Sequence, residues 1–134
     1  MTAPEPGPGR RIVVRTVIVA ARVLSGRSPQ RIHRVLTRLS RGARPATYRE
    51  AALARSEVSL VDAYCGGPFG CLPRSIATAM LCRLRGGWPT WHTGPRAHPP
   101  FSAHAWVEVD GVAVDEPFPD GFHIPMLTVA APRA

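Results

Sequence analysis

The stretch Gly70-Cys71-Leu72-Pro73-Arg74-Ser75 places a thiol where a glycine-rich loop becomes a helix. Glycine and proline dominate residues 66–70, which therefore cannot form regular structure. Pro73 suits the first turn of a helix, where its missing N–H costs nothing. Apolar residues then recur at three- and four-residue steps until Gly86-Gly87 ends the helix. The pattern predicts a helix with Cys71 at, or immediately before, its first turn.

Cys71 meets the physical conditions for a reactive thiol. The first turn of a helix carries unpaired N–H groups and the positive end of the helix dipole, and both favour thiolate over thiol. The same N–H groups suit an oxyanion hole. The structural alternative is a small buried apolar side chain, which is what most unpaired cysteines are.

A partner for the thiol is predicted further along the chain, in Ala103-His104-Ala105-Trp106. Residues 88–94 and 101–109 have the pattern of strands, Asp110-Gly111 is a strong hairpin turn, and residues 112–115 return as another strand. A lone histidine in a strand is more often structural than catalytic. Together with a helix-terminal cysteine and a carboxylate at the far end of the hairpin, it completes the activation scheme of a cysteine nucleophile.

The carboxylate that orients His104 depends on the turn of this hairpin. A two-residue turn places Asp115 opposite Trp106 and diagonal to His104. A three-residue turn that closes on a Gly111 bulge places Glu116 directly opposite His104. The residues alone therefore leave both Asp115 and Glu116 open as the orienting acid.

Charge is distributed unevenly along the chain, whose formal net charge is +8. Every basic residue is an arginine, and residues 1–55 hold twelve of the 17 against only Glu5 and Glu50. This imbalance predicts a basic segment that meets an acidic partner, attached to a domain with another task. Nucleic acid is not the expected partner, because no aromatic residue interleaves the arginines and no recognition-helix pattern follows.

The first half of the chain is predicted to be helical. Residues 10–24 form a buried helix or strand, since their β-branched side chains leave the type open. A serine cap followed by proline starts a second helix over residues 28–41, whose arginines lie on a solvated face or a protein-docking surface. Thr47 and Glu50 form a capping box for a third helix that runs to about Tyr64.

Cysteine usage and hydropathy bear on location and cofactors. Three cysteines do not make a disulfide framework, and an odd number suits a reducing cytosol, so we expect a cytoplasmic protein. The cysteines and histidines lack metal-ligand spacing, so no metal and no cofactor is expected. Arg15 and Arg22 interrupt the apolar run after Arg10-Arg11, which argues against a signal peptide and a membrane span.

Two motifs resemble those of one family. Cys-Leu-Pro-Arg-Ser-Ile-Ala-Thr-Ala-Met-Leu-Cys-Arg-Leu-Arg-Gly-Gly over residues 71–87, and Pro-Phe-Ser-Ala-His-Ala-Trp-Val-Glu-Val-Asp-Gly over residues 100–111, closely resemble the leader peptidases of lasso-peptide biosynthesis. These enzymes are transglutaminase-like cysteine proteases. The resemblance covers about residues 45–130, and the two motifs are specific as a pair.

The resemblance implies an α+β fold with a papain-like core. In such a core, N-terminal helices and a catalytic helix pack on a small antiparallel sheet. Together with the charge distribution, the resemblance divides the chain into three parts. A disordered tail is expected over residues 1–9, a basic helical arm over residues 10–45, and the transglutaminase-like cysteine protease domain over residues 46–134.

The resemblance also implies the roles of the site residues. By direct motif match Cys71 is the nucleophile and His104 the base. The acid of the family stands about twelve residues after the histidine, which points to Glu116. The implied reaction removes the leader from a ribosomally made precursor peptide, commonly near a threonine. The implied partners are the leader peptide, a small leader-recognition protein and the ATP-dependent lasso cyclase.

Two other interpretations stay open. A non-catalytic module that binds nucleic acid or protein through its arginine helices would leave the Cys71–His104 pair incidental. A nearer alternative is another transglutaminase-like hydrolase or acyltransferase with a different substrate. Selective alkylation of Cys71 at mildly acidic pH would favour an enzyme, whereas steeply salt-dependent binding of nucleic acid would favour the first alternative.

Overall fold

The computed structural model describes residues 5–131, in which a group of helices precedes an antiparallel sheet. The helices are α1 (Pro8–Ser25), α2 (Pro29–Ser40), α3 (Tyr48–Val61), α4 (Ala63–Gly66) and α5 (Cys71–Leu84). The strands are β1 (Arg44–Pro45), β2 (Gly87–Trp88), β3 (Thr90–Pro95), β4 (Ala103–Val109), β5 (Val112–Ala113) and β6 (Leu127–Val129). Helices packed on a small antiparallel sheet make an α+β fold, which confirms the expected fold class.

The segment whose type the sequence left open, residues 10–24, lies within helix α1. Its buried side chains recur at three- and four-residue steps and face α5; they are Val14, Ile18, Ala21 and Leu24. The helix already begins at Pro8, so the end of the tail predicted over residues 1–9 is helical. Residues 1–4 of that tail lie outside the described residues.

Helices α2 and α3 begin at their predicted caps. The Ser28 hydroxyl accepts a hydrogen bond from the Arg31 N–H at 3.3 Å. Thr47 and Glu50 form the capping box, in which each side chain accepts from the other residue's backbone N–H. The arginines of α2 and of the turn after it point to solvent, as expected: Arg31, Arg34, Arg38 and Arg41.

Helix α3 ends at Val61, short of the expected Tyr64. Asp62 leaves the helical conformation, with φ of −130° and ψ of 115°. Its carboxylate then accepts a hydrogen bond from the Cys65 N–H at 2.9 Å. This local contact starts α4, the short turn that leads into the glycine loop.

Helix α5 is the central element of the fold. It packs against α1 and α3 on one side and against β4 on another, so most of its surface is buried. Five of its residues have no exposed surface: Ile76, Ala77, Thr78, Ala79 and Leu81. A helix that is apolar on most sides requires this kind of enclosure.

The sheet has the strand order β5-β4-β3-β6, and each neighbouring pair is antiparallel. The predicted hairpin turn has φ of 52° at Asp110 and 79° at Gly111, as a type I′ turn requires. This turn places Val109 opposite Val112. Strands β1 and β2 form a separate parallel pair that ties the α2–α3 connection to the chain after α5.

One hydrophobic core joins the N-terminal helices to the rest of the chain. Buried side chains of α1, α2 and α3 pack in the same cluster as those of α5 and the sheet. Arg10 adds a link between α1 and α3, since its guanidinium donates to the two carboxylate oxygens of Glu57 at 2.8 and 2.9 Å. The helical arm predicted over residues 10–45 therefore shares its core with the domain predicted over residues 46–134.

Candidate active site

Cys71 is the first residue of α5, and Gly70 is its N-cap. The amides of the first helical turn have no acceptor within the helix. Pro73 has no N–H, and the Arg74 N–H donates to the Gly70 carbonyl oxygen at 2.9 Å. The N–H groups of Cys71 and Leu72 are therefore left without an acceptor inside the helix, next to the half-buried thiol in the chain. The thiol lies at a helix N-terminus, where the sequence predicted it.

The glycine loop before Cys71 is held by close backbone contacts. A Cβ atom at Gly70 would lie 2.0 Å from the Tyr64 carbonyl oxygen, so no larger residue fits there. From within α5, the buried Arg74 donates through Nη1 to the carbonyl oxygens of Cys65 at 2.8 Å and Gly67 at 3.1 Å. Arg74 thus fixes the path of the loop. The sequence did not reveal this role, because backbone carbonyls carry no residue signature.

His104 is the second residue of β4, and its ring lies close enough to the Cys71 thiol for each group to shift the pKa of the other. Its Nε2 atom hydrogen-bonds Glu116 Oε1. Since Glu116 occupies Nε2, Nδ1 is the ring nitrogen that serves the sulfur. The side chains of His104 and Glu116 are only 12% and 6% exposed. The structure thus brings Cys71, His104 and Glu116 together in one chain of contacts.

Asp115, the other predicted acid, does not reach His104. The hairpin has the two-residue turn, which in a continuous strand would favour Asp115. Strand β5 ends early instead, and Asp115 adopts a left-handed conformation with φ of 49°. Its carboxylate accepts a hydrogen bond from the Tyr48 hydroxyl at 3.3 Å, and Glu116 turns toward the ring. The structure thus joins Glu116, and not Asp115, to the His104 ring because the strand breaks, although the turn is the two-residue one.

Hydrogen bonds in the site favour a thiolate–imidazolium pair. Burial raises the pKa of the Cys71 thiol, but hydrogen bonds with the His104 ring and the Ala105 backbone N–H outweigh it and bring the pKa below its ordinary value. Burial lowers the pKa of His104, but its hydrogen bonds with Cys71 and Glu116 raise it to about 9. Burial raises the pKa of Glu116, but the hydrogen bond and charge of His104, with nearby arginines, bring it below its ordinary value. His104 and Glu116 are therefore charged at neutral pH, and the shift at Cys71 favours its thiolate.

The other two cysteines lie in different surroundings. Cys65 and Cys82 are buried, and neither forms a disulfide. Burial, followed by the charge of Asp62, raises the pKa of Cys65 to about 11. Burial, followed by the charge of Glu50, raises the pKa of Cys82 to about 12. Thiols of this kind stay protonated at neutral pH, so Cys71 is the one of the three cysteines whose pKa is shifted toward the thiolate.

Glu116 has a second partner that the sequence did not reveal. Arg55 on α3 donates through Nη2 to Glu116 Oε2 at 3.2 Å. A clue was present in the sequence, since Arg55 lies one turn after Ala51 and one turn before Val58 on the buried face of α3. An arginine on an apolar face needs a buried partner, although the pattern does not say which.

A cleft of about 330 Å³ opens beside the His104 ring. Trp106, Phe118 and His123 line it, and the His123 ring stacks on that of His104 with centroids 4.6 Å apart. Burial, followed by the charge of His104, lowers the pKa of His123. The sequence did not single out His123, because it lies in an irregular segment without a motif. Concave, partly aromatic surfaces of this kind are typical of ligand sites.

The described residues also bear on metal binding and on membrane insertion. Within residues 5–131, no three His, Cys, Asp or Glu side chains lie close enough to hold a metal ion. None of the helices described there combines the length and the apolar character that crossing a bilayer requires. His92 is a buried residue of strand β3, and its ring nitrogens hydrogen-bond Thr128 Oγ1 at 2.8 Å and Glu108 Oε2 at 3.0 Å, as in a structural histidine.

Comparison with known proteins identifies the family. A family model described as the transglutaminase-like superfamily matches residues 14–123, a span that includes Cys71, His104 and Glu116. No curated protein and no solved structure matches the chain. The transglutaminase-like domain is commonly that of a cysteine hydrolase or acyltransferase, in agreement with the thiol, imidazole and carboxylate found together here. Since the match extends over most of the sequence, the chain belongs to the transglutaminase-like superfamily.

Proposed function

We propose that this protein is a cysteine endopeptidase that removes the leader from a ribosomally made lasso precursor peptide. The observation that carries the proposal is the Cys71 thiol beside His104, whose far ring nitrogen hydrogen-bonds Glu116. Membership of the transglutaminase-like superfamily supports the cysteine chemistry. The resemblance of residues 71–87 and 100–111 to lasso leader peptidases supports the substrate class.

In the first step of the proposed reaction, the thiolate–imidazolium pair acts on the scissile amide. The Cys71 thiolate attacks the carbonyl carbon, which forms a C–S bond and places negative charge on the oxygen. The N–H groups of the first turn of α5 stabilise this oxyanion. The His104 imidazolium donates its proton to the departing nitrogen, the C–N bond breaks, and the core peptide leaves with a free amine.

In the second step, water replaces the amine. The neutral His104 ring takes a proton from water, and the resulting hydroxide equivalent attacks the thioester carbonyl. The C–S bond then breaks, the leader leaves with a carboxylate, and the thiolate–imidazolium pair is restored. Through both steps Glu116 holds the ring in one orientation and stabilises its charged form.

The basic N-terminal helices supply the docking surface in this proposal. The exposed arginines of α2 complement acidic groups on a partner, so we assign this surface to the small recognition protein and the leader that it holds. The released core then passes to the ATP-dependent cyclase. Three free cysteines suit a reducing compartment, and the proposed location is the cytoplasm.

Reconstitution with a candidate precursor tests the proposal. The purified chain is mixed with the precursor peptide and recognition protein encoded in its genomic neighbourhood, and the products are identified by mass spectrometry. We expect separate leader and core fragments from the wild-type chain. We expect intact precursor from C71A, and at most partial loss from C65A or C82A, whose thiols are buried.

Other outcomes would assign the protein differently. Cleavage by C71A would exclude Cys71 as the nucleophile. If the precursor stays uncut but Cys71 is alkylated rapidly, another hydrolase or an acyltransferase of the superfamily is favoured. Transfer of an acyl group to an added amine would identify the acyltransferase. An unreactive Cys71 with tight, steeply salt-dependent binding of nucleic acid would favour the non-catalytic alternative.

A further inference from the structure

The contact between Arg55 and Glu116 has no part in the proton transfers described above. Glu116 presents one oxygen to each of two partners, Oε1 to the His104 ring and Oε2 to the Arg55 guanidinium at 3.2 Å. The Glu116 side chain is 6% exposed and that of Arg55 20%, so this ion pair is largely removed from water. A pair in such surroundings constrains both side chains, because either one left alone is costly.

A second contact from the same helix holds the neighbouring residue. The Tyr48 hydroxyl accepts a hydrogen bond from the Asp115 N–H at 3.2 Å and donates one to the Asp115 carboxylate at 3.3 Å. Tyr48 and Arg55 are seven residues apart, which is two turns along one face of α3. Helix α3 therefore holds two consecutive residues at the point where the chain leaves the hairpin, with Asp115 at φ of 49°.

A glutamate gains more from such support than an aspartate would. Its side chain has one more rotatable bond between the backbone and the carboxylate, so more conformations compete with the one that meets the ring. A guanidinium that takes Oε2 removes much of this freedom and leaves Oε1 turned toward His104. A charge-assisted hydrogen bond from arginine is directional enough for that purpose.

We propose that Arg55 is a positioning residue that holds the Glu116 carboxylate against His104 and keeps it ionised. Arg55 acts through Glu116, not on the substrate. Its role rests on the cysteine chemistry of the proposed function, but it does not depend on which peptide is cleaved.

The charge of Arg55 also influences the pH at which Glu116 takes up a proton. Burial raises the pKa of Glu116, and His104, followed by Arg55, lowers it. Without the cation, the carboxylate is protonated at a higher pH, and a neutral carboxyl no longer stabilises the imidazolium. Because the imidazolium keeps the thiol ionised, loss of Arg55 raises the pH at which Cys71 becomes reactive.

The rate at which iodoacetamide alkylates Cys71 tests this role without any substrate. The rate is followed from about pH 4 to about pH 9 by mass spectrometry of the peptide that contains Cys71. We expect R55Q to move the acid limb of this profile upward by about half to one pH unit, which lowers the rate on that limb about three- to tenfold. R55K keeps the positive charge, so its acid limb should lie close to the wild-type position.

Two controls separate positioning from general stability. Arg10 pairs with Glu57, whose side chain is also 6% exposed, so R10Q removes a cation from an equally buried carboxylate away from His104. R10Q should leave the acid limb in place. If Arg55 acts through Glu116, adding R55Q to E116Q should move the limb no further than E116Q alone.

The proposal would be overturned if the acid limb of folded R55Q lay at the same pH as that of the wild type. It would also be overturned if R55Q moved the limb by the same amount in the wild-type chain and in E116Q. If R55Q does not fold, R55M is read in the same way, because methionine replaces the apolar part of the arginine side chain. If neither variant folds while R10Q does, Arg55 is a stability residue and the proposal is wrong. A wild-type Cys71 that alkylates no faster than an ordinary thiol would contradict the proposed function itself.

Discussion

Glu116 hydrogen-bonds Nε2 of His104, although the hairpin that separates them has the register that favours the preceding residue. The strand ends before Asp115, whose left-handed backbone turns the next side chain toward the ring. The carboxylate that contacts the ring is thus selected by where the strand stops. Two adjacent carboxylates that look equivalent in the sequence therefore have different roles.

Substitution of these two acids should separate their roles. E116Q should lower the rate of precursor cleavage by roughly 10²- to 10⁴-fold, because the ring loses both its orientation and the charge that stabilises the imidazolium. D115N keeps the backbone contact with Tyr48 and should lower the rate by less than about threefold. Single-turnover cleavage measures both, and equal losses from the two variants would contradict the assignment.

The pH dependence of cleavage should follow the pKa values of Cys71 and His104, the two members of the thiolate–imidazolium pair. The thiolate forms as pH rises through the pKa of Cys71, which lies below its ordinary value. The imidazolium is lost as pH rises through the pKa of His104, at about 9. We therefore expect kcat/KM to rise at a lower pH than for an ordinary thiol and to fall near pH 9. A profile that rises only near the pKa of an ordinary thiol would contradict this pairing.

Arg74 should matter for both stability and reactivity. Removing its guanidinium in R74A leaves the carbonyls of Cys65 and Gly67 without their donor and should lower the free energy of unfolding by about 2–4 kcal/mol. The loosened loop should also slow alkylation of Cys71. The matched control is R83A, since Arg83 donates to the carbonyl of Leu39 at 2.7 Å from the other end of α5.

R83A should lose stability without a change in the reactivity of Cys71. Chemical denaturation and iodoacetamide labelling measure the two effects separately. Normal labelling of a folded R74A variant would show that Arg74 does not hold the nucleophile's loop.

Charge reversal on α2 should weaken the proposed complex with the recognition protein. Deleting the N-terminal helices is not a clean test, because α1 packs in the same core as α5. Arg34 and Arg38 are exposed, so R34E together with R38E should leave the fold intact while lowering affinity by about tenfold or more at low salt. Calorimetric titration measures the affinity, and unchanged binding would remove the arginine face from the interface.

The elements that carry Cys71 and His104 were predictable because their signals are local. A glycine loop before Cys71 and a proline just after it mark a helix start, and Asp110-Gly111 marks a hairpin. The alternation of side-chain character over residues 101–109 predicts a strand that contains His104. Each of these patterns depends on neighbours in the sequence, and the structure confirms each one.

The residues that surround Cys71, His104 and Glu116 were not predictable in the same way, because their contacts are long-range. Arg55 and Glu116 are 61 residues apart in the chain, and no local pattern joins them. The type of α1 stayed open because β-branched residues suit strands in isolation, whereas packing on α5 decides for the helix. Whether Asp115 or Glu116 contacts His104 depends on the left-handed backbone conformation of Asp115, which no local sequence pattern predicts.

The most direct measurement compares the pH profile of Cys71 alkylation by iodoacetamide in the wild-type chain and in H104A. If His104 keeps the sulfur ionised, the wild-type rate reaches its plateau well below the ordinary thiol pKa of about 8.5, and H104A moves the acid limb upward by at least about one unit. A wild-type limb at the ordinary thiol value, unmoved by H104A, would contradict the pairing of Cys71 with His104.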